Sequence, residues 1–103
     1  IANVKLIHSR CNNINSRTNI LKFMGRNGTG LLSDALRAFN FAVQMGAAVS
    51  SHSYGAAGVS SIFGRAIANA AAQGHIFVTA SGNDGVDLDD IPSVPCSLAS
   101  SIP

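Results

Sequence analysis

The alternation of helical and extended periods along residues 31–80 constrains this chain more than any other feature. Between residues 31 and 45, Leu32, Ala35, Leu36, Phe39 and Val43 share one face, while Ser33, Arg37, Asn40 and Gln44 form a narrow polar stripe. Ser33 is the expected N-cap, Asp34 falls in the first turn, and Gly46 supplies the residue that ends the helix. Residues 59–73 repeat the pattern and stop at Gly74, with Ile62, Phe63, Ala66, Ile67 and Ala70 expected to be buried. Short apolar runs at Val4–His8, 47–53 and 75–80 flank these helices, and 75–80 has the composition of an interior strand. The order β-α-β-α-β predicts an α/β fold whose strands are joined by right-handed parallel crossovers.

Composition narrows the function classes. Charged residues make up only 12% of the 103, about half the usual share, so much of the segment is expected to be buried or covered. A net charge of +2 spread over scattered Lys and Arg residues does not build a nucleic-acid surface. No apolar run approaches the roughly 18 residues of a membrane span, and the amino terminus lacks a signal-peptide layout. Cys11 and Cys96 fit neither a zinc spacing nor a redox CxxC pair. The start at Ile1 leads us to expect a piece of a longer protein.

Several short motifs carry chemistry. Ala80-Ser81-Gly82-Asn83-Asp84-Gly85 ends the third predicted strand in small residues and one amide. Ligands of open parallel sheets bind at the carboxyl ends of strands, where a fixed amide stabilises an oxyanion; Gly-Asn-Asp-Gly is equally ordinary turn chemistry. Gly28-Thr29-Gly30 before a helix lacks the third glycine and the acidic residue of a dinucleotide loop. Ser51-His52-Ser53-Tyr54-Gly55 approximates a nucleophile elbow, but residues 55–58 separate Ser53 from the next helix. His52 is better read as a hydrogen-bonded, part-buried histidine. Asp84, Asp87, Asp89 and Asp90 lack EF-hand spacing and read as a solvated loop, continuing irregularly through the prolines; no metal site is expected. Asn27-Gly28-Thr29 matches a glycosylation sequon, read as accidental because a glycan would obstruct the adjacent loop.

Taken together, Gly28-Thr29-Gly30-Leu31-Leu32-Ser33, residues 48–55 and residues 80–85 resemble the subtilisin-like serine protease (subtilase) family in order and spacing. Pro95-Cys96-Ser97-Leu98 is a fainter echo of the segment lining that family's primary pocket. The resemblance implies the central part, residues 1–103, of a peptidase catalytic domain with a partial three-layer, parallel-sheet fold. It implies that Asn83 donates its side-chain amide to the oxyanion. The backbones of Gly28, Thr29 and Gly30 and of Ser53, Tyr54 and Gly55 would flank a polypeptide substrate. Leu32 would help line the pocket for the fourth substrate residue, Ala80, Ser81 and Gly82 would form a wall of the first pocket, and Asp84 would stand at its rim. A propeptide or protein inhibitor would use the same cleft. Secretion, or residence in a secretory compartment, is implied by the resemblance alone, and any calcium is expected elsewhere in the parent.

Departures from the family pattern limit these expectations. The family's Asp-bearing early strand, H-G-T-H helix and G-T-S-M-A serine motif do not occur, and His8, His52 and His75 match none of them. Ser51-His52 stands where Asn-Met usually precedes the serine of the second substrate strand, and residues 10–26 have the look of a lengthened loop. In the family the Asp-bearing strand lies between the strands resembling Val4–His8 and residues 48–53, so the sheet is expected to have a gap and the chain alone to be unstable and inactive. A non-catalytic, peptide-binding subtilase-like module is the competing function, and a small nucleotide-binding domain a third.

Overall fold

The computed structural model describes residues 4–8 and 18–101; the expected loop at 10–17, with Cys11, lies outside the described residues. Strands β1 (Val4–His8) and β2 (Thr18–Leu21) precede helix α1 (Leu32–Gln44), strand β3 (Ala47–His52) and the two-residue strand β4 (Ala56–Ala57). Helix α2 (Ser61–Ala72), strand β5 (Ile76–Thr79), the short strand β6 (Ser93–Val94) and a 3-10 turn (Cys96–Ser101) complete the described chain.

Both helices form where their apolar stripes predict. Helix α2 is capped by Ser60, whose hydroxyl accepts from the Phe63 amide at 3.2 Å, and buries Phe63, Ile67 and Ala70. Ile62, expected inside, is 65% exposed, because the buried stripe runs through the 63, 67 and 70 positions and leaves it one step outside. Helix α1 starts earlier than Ser33: Leu31 is its N-cap, and the Leu31 carbonyl accepts from the amides of Asp34 and Ala35. With that first turn closed by backbone, no side-chain cap is made. Gly46 and Gly74 end the helices at φ +77° and +85°, a region that glycine enters without a Cβ clash.

The main sheet has the order β2-β1-β3-β5. β3 and β5 pair in parallel, Val49 opposite Ile76 and His52 opposite Thr79, across the α2 crossover. β1 departs from expectation: it runs antiparallel to both β2 and β3. β2 and β3 therefore share a direction, and the parallel connection through α1 joins them rather than β1 and β3. The expected gap is also absent, since β1 lies directly against β3; the free amides and carbonyls on the β3 edge take the nearest strand.

The core lies between one sheet face and the two helices, with Phe39 and Phe63 fully buried and their rings stacked 6.1 Å apart. On β5 only Phe77 joins that core. Ile76 and Val78 are 58% and 47% exposed on the opposite face, so the run expected as an interior strand is an edge strand with one open face. The segment after Asn83 is more regular than expected. β6 pairs antiparallel with β4, and Val94, Pro95 and Leu98 are buried.

Candidate functional site

The carboxyl ends of β3 and β5 open into one cleft of about 480 Å³. Parallel pairing makes this unavoidable, since both strands point the same way and finish at the same level. The last rung is the Ala80 amide donating to the His52 carbonyl at 3.2 Å. Beyond it the chains diverge, β3 into residues 53–57 and β5 into residues 80–84, and the cleft lies between them.

The third wall is the returning segment, with Val86, Leu88, Ile91 and Pro92. It is fastened to the first wall by the β4–β6 ladder, Ala56 opposite Val94 and Ala57 opposite Ser93, and by the Gly58 amide donating to the Pro92 carbonyl at 2.9 Å. At Gly55 a Cβ would stand 3.0 Å from Ser93 Oγ, a close contact that a small shift of that hydroxyl would relieve.

Eight of the residues singled out in the sequence line this cleft: Ser53, Tyr54 and Gly55 on one wall, and Ala80, Ser81, Gly82, Asn83 and Asp84 on another. Gly82 has φ +92° and turns the chain so that Asn83 follows on the cleft wall. Asn83 is exposed, and its amide has no hydrogen-bond partner among the described residues. Gly28, Thr29, Gly30 and Leu32 stand outside the cleft. The first three belong to an exposed turn in which the Gly25 amide donates to the Thr29 carbonyl at 2.9 Å, and Leu32 packs against the core. Pro95 and Leu98 are likewise core residues, while Pro92 and Ser93 reach the cleft.

Behind the first wall lies a buried polar array. His52 Nδ1 is 2.8 Å from the Tyr54 hydroxyl, and His52 Nε2 is 2.7 Å from Ser50 Oγ. Ser50 Oγ is also 2.7 Å from His75 Nε2, and His75 Nδ1 is 2.7 Å from the Ala47 carbonyl oxygen. Burial, followed by the neighbouring His75, lowers the His52 pKa from 6.5 to about 3, so the ring is neutral; burial also pushes the Tyr54 phenol above its usual range. Ser50 is within nucleophile-to-base distance of two imidazoles, but Ser50 and His52 have no exposed surface. A substrate carbonyl does not reach them. Sequence reading found the hydrogen-bonded His52 and missed its partners; the signal was the two-residue spacing of Ser50, His52 and Tyr54, which places them on one face of an extended chain.

Among the described residues no group of His, Cys, Asp or Glu is arranged to hold a metal ion, and no helix is long and apolar enough to cross a membrane. The model of the subtilase family matches residues 12–103. The chain belongs to the subtilase family. No curated protein and no solved structure matches it. Family membership makes this a protease-related domain, a class whose substrates are polypeptides, and the α/β architecture with its parallel β3–β5 pair is compatible with part of a subtilisin-like fold.

Proposed function

We propose that these residues form the central part of the catalytic domain of a subtilisin-like serine endopeptidase, supplying the substrate cleft and one donor of the oxyanion hole. The observation that carries this reading is the placement of Asn83: an exposed amide on one cleft wall, facing a cleft whose other wall is the extended exit of β3. A peptide laid along residues 53–55 would pair through its backbone, which accepts many sequences alike, while side-chain pockets select among them. A serine Oγ outside residues 1–103 would attack the scissile carbonyl, a histidine taking its proton. The carbonyl oxygen gains the negative charge, and Asn83 Nδ2–H donates to it. Collapse of the intermediate expels the amine, which receives the proton. The isolated chain is inactive on this reading, since it holds the donor without the nucleophile.

The competing reading is a module that binds peptides in the same cleft without cutting them; the absence of the H-G-T-H and G-T-S-M-A motifs from residues 1–103 fits both readings. A serine-directed fluorophosphonate applied to the full-length protein separates the two. The protease reading expects one labelled serine outside these residues and loss of peptide hydrolysis on labelling. A full-length protein that binds peptide but neither takes the label nor hydrolyses would contradict it and leave the binding module.

A further inference from the structure

The buried array behind the cleft has a single polarity when both rings are neutral. The Ala47 carbonyl only accepts, so His75 carries its hydrogen on Nδ1 and its Nε2 must accept. Ser50 gives its one hydroxyl hydrogen to that nitrogen and hence accepts from His52 Nε2–H. His52 Nδ1 is then an acceptor, filled by the Tyr54 O–H. The His52 ring is further clamped by stacking on Phe77, centroids 3.9 Å apart, and the Tyr54 ring meets Phe23 edge-on at 4.8 Å.

His52 thus fastens both walls of the cleft. Its ring holds Tyr54, whose neighbours Ser53 and Gly55 are exposed on the first wall, and its carbonyl holds the Ala80 amide where the Asn83 wall begins. We propose that Ser50 and His52 are positioning residues that set the backbone of residues 53–55 through Tyr54 before a peptide arrives, and that this pre-alignment sets affinity for the substrate. The inference rests on the peptide-cleft reading above. A wall left free to move must be ordered when the peptide binds, and that loss falls equally on ground state and transition state, so it is read in KM rather than kcat.

The test is peptide hydrolysis by the full-length protein carrying Tyr54→Phe, His52→Leu or His52→Gln, at a temperature well below the melting of each variant. Tyr54→Phe and His52→Leu are expected to raise KM about 3- to 10-fold with kcat little changed. His52→Gln is expected to restore KM, because a carboxamide oxygen accepts from Tyr54 while its NH2 group donates to Ser50. If His52→Leu does not fold, Tyr54→Phe decides alone, since it removes one hydroxyl and keeps the ring. A folded Tyr54→Phe protein with wild-type KM would overturn the inference, as would a His52→Gln protein as impaired as His52→Leu. A wild-type protein that neither binds nor cleaves peptides would overturn the underlying cleft reading, and the inference with it.

Discussion

Ser50 Oγ lies 2.7 Å from His75 Nε2, joining the middle of β3 to the residue that leads into β5. A hydroxyl with one hydrogen, shared between two imidazoles, couples their tautomers, and the Ala47 carbonyl, which only accepts from His75 Nδ1, sets the direction. With both rings neutral, imidazole nitrogen chemical shifts should show the ring hydrogen on Nδ1 of His75 and on Nε2 of His52. The reverse pair of tautomers would contradict the bonding scheme.

The same burial makes the fold acid-sensitive. His52 titrates near 6.5 when unfolded and about 3 when folded, so below 6.5 the unfolded chain binds the extra proton. The stability this group contributes is fully present above pH 6.5 and is lost progressively as pH falls towards 3. Between those values a single group of this kind removes about 1.4 kcal/mol per pH unit. Denaturation midpoints measured across this range should fall with pH in the wild type and fall less steeply in His52→Gln. Equal slopes in the two proteins would place the acid sensitivity elsewhere.

Gly82 sits at φ +92°, immediately before Asn83. Gly82→Ala should cost about 1–2 kcal/mol of stability, and relaxation of the strained turn should move the amide and lower kcat. Denaturation and steady-state kinetics of that variant, measured together, check both. Unchanged values would show that the turn does not set the position of Asn83.

Asp84 is exposed beside Asn83 on the cleft, where a carboxylate would favour a basic residue before the scissile bond. Because the pair would be solvated, Asp84→Ser should lower the preference for Lys over Phe peptides by only about 2- to 5-fold. An unchanged ratio of kcat/KM values would remove Asp84 from specificity.

Much of this architecture was legible in the residues. The stripes of α1 and α2 have one period and glycine stops, and a helix with those properties has little alternative. The parallel β3–β5 pair followed from the connection through α2. The direction of β1 was not legible, because an apolar run of five residues carries no sign, and β2 entered the sheet from a stretch also compatible with a loop. The cleft residues from 53 to 55 and 80 to 84 stood out as small or polar positions at strand ends. Val86, Leu88 and Ile91 did not, since their place depends on the β4–β6 ladder, two residues on each side and too short for a pattern. Ser33 misled because a hydroxyl near a helix start is a common cap, whereas here the backbone of Leu31 already closes the turn.

The most direct test of the proposed function is the kcat of the full-length protein with Asn83→Ala. Loss of one oxyanion donor should reduce kcat about 100- to 1,000-fold while KM stays near its wild-type value. A kcat within a few-fold of wild type, or a loss carried by KM alone, would contradict the assignment of Asn83 to the oxyanion.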